Sequence, residues 1–477
     1  MERILTTEQM RLADRYTIDT LGISEQTLVE RAGNVVVDEI IKRFRGGRVL
    51  VCIGKGNNGE DGKVVAERLS KIHGFAVSTV CVYNGIFKQF ENKFDIIVDC
   101  IFGTGLNREV SGYYKIAIEK INSANAFVVS CDIPSGLNGD TGLAMGIAVR
   151  ANLTVAIQEF KFGHFLNDGP DYCGQTVAKD IGISIWGEDY AVKLNDAFVK
   201  NYFPKRKRNV HKGNFGRTCI FGGSKRFSGS VLLSLNALAS LKTGVGYSNL
   251  AIPESLYSAY LGVVPECTFT PVKDNDGEVV FDKNSIDKVL SYDSVAIGMG
   301  IGVSESVYEI LKYLLTNYTG KLLIDADGLN TLSTYGIEVL SQKKCDVVLT
   351  PHVGEFSRLI KAEKKLIMSD IIDLSKQFAS KFGIVLLVKS AVSVITDGAK
   401  VIINTTGSSG MAKGGSGDVL SGLAAGLLAR KTDVFETTAV ASYLFGLAGE
   451  LAQKEQNEYT ITATDIIRAI PEAINSL

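Results

Sequence analysis

Near its carboxyl end the chain reads GMAKGGSGDVL (410–420), with Gly410, Gly414, Gly415 and Gly417 ahead of Asp418. Glycines let a backbone turn tightly and lie against a ligand that side chains would hold away. If a helix opens here, the amides of Gly414, Gly415, Ser416 and Gly417 can hold the negative charge of a moving phosphoryl group. Asp418 would then lie within reach of the attacking hydroxyl and take its proton. The plainer alternative is a glycine-rich turn that caps a helix through Ser416 or Asp418. No G-x-x-x-x-G-K-[ST] string occurs, so this is not a P-loop.

A second glycine-rich stretch, GKGNNGEDG (54–62), carries a literal G-x-G-x-x-G at Gly54, Gly56 and Gly59. Alone it predicts pyrophosphate at a helix start. The ribose-binding acid of a dinucleotide fold belongs about 20 residues further on, and the next strand ends CVYN without one. An ordinary dehydrogenase is demoted. Asn57, Asn58 and Asp61 fit left-handed turns, yet amide oxygens also suit a hard or monovalent cation. VDCIFGTGLNRE (98–109) and CDIPSGLNGD (131–140) add Asp99, Gly103, Gly105, Asp132 and Ser135 near the ends of apolar runs. Ligands of open parallel sheets bind beyond the carboxyl ends of strands, although a carboxylate there can equally cap the next helix.

These residues need elements to hold them. Apolar runs at 48–54, 76–83, 94–103, 126–136 and 152–158 alternate with helical patterns, among them one with Val65, Leu69 and Ile72 on a single face. Thr6 followed by Gln9 fits a capping box. Continuous apolar strands with helices between them indicate a parallel sheet covered on both faces. The basic stretch VKNYFPKRKRNVHKGNFG (199–216) reads as a solvated connector rather than a nucleic-acid patch. A second series of runs follows at 217–224, 294–302, 321–330, 345–355 and 383–395. The expectation is an α/β chain of two three-layer domains, 1–205 and 206–477.

Composition narrows the partners. With 477 residues, 45% hydrophobic, 22% charged and a net charge of −1, the chain suits a soluble multidomain protein. Nothing in that balance calls for nucleic acid or an anionic membrane. Eight cysteines without a CxxC pair and four scattered histidines exclude a disulfide framework and a zinc cluster. Neither a transmembrane run nor a secretory signal is read, so the cytoplasm is the expected location.

The set NNGEDG, DCIFGTGL and DIPSG, in that order over about residues 1–200, resembles the NAD(P)H-hydrate epimerase domain of the bifunctional NAD(P)H-hydrate repair enzymes, a Rossmann-like domain. The resemblance implies that Asn57, Asn58, Gly59, Glu60 and Asp61 bind the hydrated nicotinamide nucleotide. Gly103, Thr104, Gly105, Leu106, Asn107, Arg108 and Glu109 would join them. It also implies a potassium ion held by Asn58, Asp99 and Ser135, and a catalytic Asp132. Epimerising C6 of the hydrate requires proton movement or reversible opening, which a positioned carboxylate can serve. Glu60 stands where the family usually has glycine. Lys161, in EFKFGH, is a weaker candidate for substrate contact.

FGGSKRFSGS, GMGIG, DADGLN, PHVGEF and NTTGSSGMAKGGSGDVLSG resemble, over about residues 206–477, the ribokinase-like fold and, more narrowly, the ADP-dependent NAD(P)H-hydrate dehydratase domain. The resemblance makes Asp418 catalytic. It assigns Lys389, Ser390, Ala391, Val392 and Ser393, with Gly414, Gly415, Ser416 and Gly417, to the adenine nucleotide. Gly244, Gly302 and His352 would touch the substrate, and magnesium would arrive with ADP. Asp325 and Asp327 can orient that ion or a loop. Val353, Ser390 and Lys413 depart from the residues frequent in the family.

Together these imply epimerisation of the R and S forms of hydrated NADH and NADPH (NADHX and NADPHX). ADP-dependent dehydration of the S form, releasing AMP and phosphate, would follow. The expected partners are those hydrates and ADP, with no nucleic acid or membrane, and a homo-oligomer is expected. A ribokinase-like small-molecule kinase fused to a nucleotide-binding module is the rival enzyme. A nonenzymatic regulatory protein is the rival outside enzymes.

Overall fold

The computed structural model describes residues 1–187, 190–239 and 242–477. Contacts divide it into two compact units, Glu2–Ala191 and Val192–Leu477.

In the amino-terminal unit, β1 (Glu2–Leu5) leads into the helix Thr7–Asp19, which Thr6 and Gln9 close with the expected reciprocal capping box. The helix Glu25–Arg43 follows. A parallel sheet then forms from β2 (Gly47–Ile53), β3 (Phe75–Cys81), β4 (Ile96–Cys100), β5 (Phe127–Cys131), β6 (Leu153–Ile157) and β8 (Gln175–Lys179), in the order β3-β2-β4-β5-β6-β8. Short β7 (Phe160–Lys161) pairs in parallel with β1. Alternation along β2 sends Val49, Val51 and Ile53 into one apolar layer and Leu50 and Cys52 into the other. Both faces are therefore covered, as continuous apolar strands require. The strands stop short of the apolar runs, so Ile101–Gly103 and Asp132–Gly136 are loops at their carboxyl ends.

The carboxyl-terminal unit begins within β9 (Ala191–Lys193), whose Val192 and Lys193 pair with Ile402 and Ile403. The helix Asp196–Tyr202 buries Val199 in this unit's core. The main strands are β10 (Arg217–Phe221), β11 (Tyr247–Pro253) and β12 (Cys267–Val272). After a two-stranded ribbon of β13 (Asp274–Asn275) and β14 (Glu278–Val279) come β15 (Ser294–Ile297), β16 (Lys321–Ile324), β17 (Asp346–Leu349), β18 (Val385–Val388), β19 (Ser393–Thr396) and β20 (Val401–Asn404). Their order is β12-β11-β10-β15-β16-β17-β18-β19-β20, parallel up to β18 and antiparallel beyond it.

Two sequence expectations change here. The run 383–395 is not one strand but the hairpin β18–β19, with Lys389–Val392 at its turn. The helix Ser416–Leu428 is not amphipathic: from Val419 to Leu428 every residue is buried. It packs against the helix Ser228–Ala239 so closely that a Cβ on Gly422 would stand 2.0 Å from the Ser234 carbonyl oxygen.

Candidate functional site

The amino-terminal unit holds a cavity of about 970 Å3 at the carboxyl ends of β2, β4 and β5. Asn57, Asn58 and Asp61 reach it from the start of the helix Asn57–Ser70, and Gly103–Arg108 from the loop after β4. Asp132, just past β5, and Lys161 complete the wall. Gly56 gives that helix no side-chain cap, which leaves its first amides to a ligand. Three residues of the expected binding set do not join the cavity wall. Gly59 packs inward, where a Cβ would sit 2.2 Å from the Gly54 carbonyl oxygen. Glu60 is exposed and pairs with Lys63 at 2.7 Å, and Glu109 is exposed.

Asp132 is tightly specified. Its Oδ1 accepts from Lys161 Nζ at 2.6 Å and from the Ile157 amide at 3.2 Å. The Lys161 side chain is only 1% exposed. His164 fixes both: its Nδ1 accepts from the Lys161 amide at 3.0 Å, which leaves Nε2 as donor to the Asp132 carbonyl at 2.7 Å. Burial, then the Lys161 cation, push His164 down to about 4, so it is neutral. Burial raises Asp132, but the charge and hydrogen bond of Lys161 outweigh it and hold the carboxylate below its usual range. Asp132 also sits at φ +65°, a left-handed conformation that costs a non-glycine residue about 1–3 kcal/mol.

Around this charged pair stand two acids with raised pKa values, of which Asp61 keeps its proton at neutral pH. Burial, reinforced by Asp132 and Asp14, pushes Asp61 up to about 8. Burial likewise takes Asp14, on the first helix, up to about 6. Asp14 was not singled out from the sequence. Its signal was the helical spacing of Met10, Asp14 and Ile18, which all line the cavity.

Beside the cavity, Asp99 is fully buried and accepts from Ser135 Oγ (2.5 Å), the Ser135 amide (2.8 Å) and Ser130 Oγ (2.9 Å). Ser135 Oγ in turn accepts from the Phe102 amide at 2.8 Å. Asn58 is 7% exposed, and neither polar atom of its side chain has a protein partner. Buried amides normally find partners. An unsatisfied amide beside a serine hydroxyl and a carboxylate fits a hard cation of low charge. Among the described residues no three His, Cys, Asp or Glu side chains are grouped for a metal, so such an ion would rely on neutral oxygens.

The carboxyl-terminal unit builds its site at the carboxyl ends of β15 to β18. Asp418 lies in the first turn of the helix Ser416–Leu428, after Gly415 at φ +92°. A Cβ on Gly415 would meet Leu233 at 2.5 Å, whereas Gly414 faces open space. Lys413 anchors the bend by donating to the carbonyls of Tyr459 (2.8 Å) and Ile461 (2.5 Å). Burial, with Asp325 and Asp327 nearby, pushes Asp418 up to about 6 against a hydrogen bond from Ser230. Under it, buried Asp325 accepts from Lys389 Nζ at 2.8 Å and Ser421 Oγ at 2.5 Å. A Cβ on Gly417 would lie 3.4 Å from Lys389 Nζ. Ser416 has a buried hydroxyl without a protein partner.

Gly302 comes to the same end of the sheet, donating to Asp327 Oδ2 at 2.9 Å. Ala326, between the two aspartates, holds φ +49°. His352 caps the helix Val353–Ile360, its Nδ1 accepting the amides of Gly354 and Glu355. Its ring is 54% exposed. Burial and the Lys389 cation lower its pKa. Lys389 is bridged to His352, and Ser390, Ala391, Val392 and Ser393 continue from it through the hairpin turn. Gly244 is not brought here. It precedes the amino end of β11, beyond the far end of a helix that runs about 15 Å on from Asp418. Ser230, which sequence reasoning passed over, is present instead.

Comparison with known proteins decides between the rivals. Residues 25–90 and 85–163 match the family described as YjeF-related protein N-terminus, and 218–472 match NAD(P)H-hydrate dehydratase. The bifunctional NAD(P)H-hydrate repair enzyme Nnr of Thermofilum pendens is 31% identical, over 100% of this chain and 97% of that one. The same-named protein of Pyrobaculum aerophilum is 33% identical over 98% of each. The chain belongs to the bifunctional NAD(P)H-hydrate repair enzyme family. For this family member the carboxyl-terminal fold also has solved counterparts. The ADP/ATP-dependent NAD(P)H-hydrate dehydratase of Bacillus subtilis, co-crystallized with ATP/Mg2+, is 26% identical with a TM-score of 0.52, covering 60% of this chain and 98% of that one. A ribokinase-like superfamily protein of Enterococcus faecalis aligns at 25% identity and TM-score 0.51, over 61% and 98%. Among the described residues no helix is long and apolar enough to cross a membrane.

Proposed function

We propose that this repair enzyme interconverts the R and S forms of hydrated NADH and NADPH within its amino-terminal unit and dehydrates the S form with ADP within its carboxyl-terminal unit, the boundary falling at 191/192 rather than at the expected 205/206. The observation that carries the second half is Asp418 in the first turn of a helix, raised to about 6 beside the Asp325–Lys389 pair. At neutral pH that carboxyl is ionised yet basic enough to draw a proton from the C6 hydroxyl. The hydroxyl oxygen attacks the terminal phosphorus of ADP and AMP leaves. The amides of Gly414 to Gly417 and the Lys389 side chain stabilise charge on the transferring group. Phosphate is a far better leaving group than hydroxide. As it departs with the C6–O electron pair, the ring nitrogen supplies electrons, and loss of the C5 proton restores the double bond. Gly302 and His352 would seat the nicotinamide, and Lys389–Ser393 the nucleotide. Magnesium would travel chiefly on the phosphates, because Asp325 is already committed to Lys389 and Ser421.

In the first half, Asp132 acts as the base for the C6 hydroxyl while Asp61, or Asp14, donates a proton to the ring nitrogen. The C6–N bond then opens to an aldehyde, and closure on the other face gives the other epimer. Lys161 and His164 keep Asp132 charged and aimed. Asn58 and Ser135, backed by Asp99, would hold potassium, whose positive charge would help seat the anionic substrate.

The deciding experiment incubates the mixed hydrates with ADP, magnesium and potassium. Complete recovery of NADH with equimolar AMP and phosphate supports the proposal. A stable phosphorylated product supports the kinase, and binding without turnover supports a regulator.

A further inference from the structure

The basic connector found no place in either reaction. Its segment 203–206 lines a cavity of about 470 Å3 in the carboxyl-terminal unit, near the amino end of β11. Among the described residues that line it, every charged side chain is a cation: Lys205, Arg206, Lys242 and Arg430. Neutral groups hold Arg206, Arg430 and Lys242 in place. Arg206 lies 3.7 Å from the centroid of the Phe215 ring and donates to the Gly244 carbonyl at 2.6 Å. Arg430 lies over Tyr202 and Phe203, at 4.5 and 5.3 Å, and donates to the Tyr202 carbonyl at 3.0 Å. Lys242 donates to the Ile467 carbonyl at 2.8 Å.

Rings and carbonyls orient a cation without cancelling its charge. Burial and the charge of Arg430 pull Arg206 below its ordinary value, and burial with Arg468 does the same to Lys242. Like charges gathered in a partly dry recess repel, and that cost is removed by a ligand that brings opposite charge. A guanidinium stacked on a ring still presents N–H groups in the fork that matches phosphate oxygens. We propose that this cavity binds a small anion bearing a diphosphate group, at a site separate from both catalytic centres. Arg430 lies just past Ala429, the C-cap of the buried helix whose first turn carries Asp418, so occupancy would be sensed at the end of that helix remote from the chemistry.

The test titrates the full chain calorimetrically with sodium pyrophosphate at fixed ionic strength, chloride making up the balance. The wild type should take up one more equivalent than Arg206→Gln/Lys242→Gln, whose KM for ADP stays unchanged. Lys205→Glu, on an exposed side chain, should weaken that extra equivalent by about tenfold or more, the scale of a charge-assisted contact. Equal stoichiometry in wild type and double variant overturns the proposal. So does an extra equivalent that Lys205→Glu leaves untouched or that sulfate matches in affinity, which marks non-specific charge attraction. Should the double variant misfold by circular dichroism, Lys205→Glu alone decides.

Discussion

Each unit places an aspartate–lysine pair beyond the end of a parallel strand, and the two pairs do opposite jobs. Asp132 faces its cavity, and Lys161 holds it ionised. Asp325 is buried beneath its site, with its side chain only 2% exposed, and Lys389 ties it down, while burial raises Asp418 to about 6. A lysine contact therefore does not mark the reacting carboxylate. What matters is which acid reaches open space and what pKa its surroundings leave it.

The sharpest way to break this comparison is to neutralise one acid at a time. Asp418→Asn should lower dehydration by roughly 10²–10⁴-fold, the range of a lost proton-transfer group. Epimer exchange, followed by chromatography, should be unchanged. Asp132→Asn should do the reverse, and loss of both activities in either variant would contradict two independent sites. Lys161→Met leaves Asp132 buried without its partner, which should destabilise the amino-terminal unit by about 3–5 kcal/mol in denaturant titration. It should also move the acid limb of epimerisation to higher pH.

The pH profiles sharpen the contrast further. With Asp418 as the proposed base, kcat/KM for dehydration should fall as pH drops through about 6. Epimerisation needs a proton on its donor, so it should fall as pH rises through about 8 if Asp61 is that donor, and through about 6 if it is Asp14. The smallest expected effect is a several-fold loss of epimerisation, and none of dehydration, when tetramethylammonium replaces potassium.

Strand-end acids and glycine bends were legible in the sequence because chemistry and turn geometry restrict those positions to few residue types. Asp132, Asp325 and Asp418 came from that logic. Asp14 did not, because on a helix surface an acid looks like any solvated charge until the cavity opposite it is known. Gly244 misled for the opposite reason. A glycine before a strand looks the same at either end of the sheet, and only the topology tells the ends apart. The hairpin within 383–395 was hidden because both of its strands are apolar and its turn lacks glycine and proline.

Asp132 at φ +65° and Ala326 at φ +49° carry a further consequence. Glycine would be easier to fold at either corner, yet each keeps a side chain and a narrower range of backbone motion. Breeding this enzyme for heat resistance would therefore tend to select Ala326→Gly. The survivors would be hardier proteins with a looser hold on the acids at either side, trading turnover for endurance.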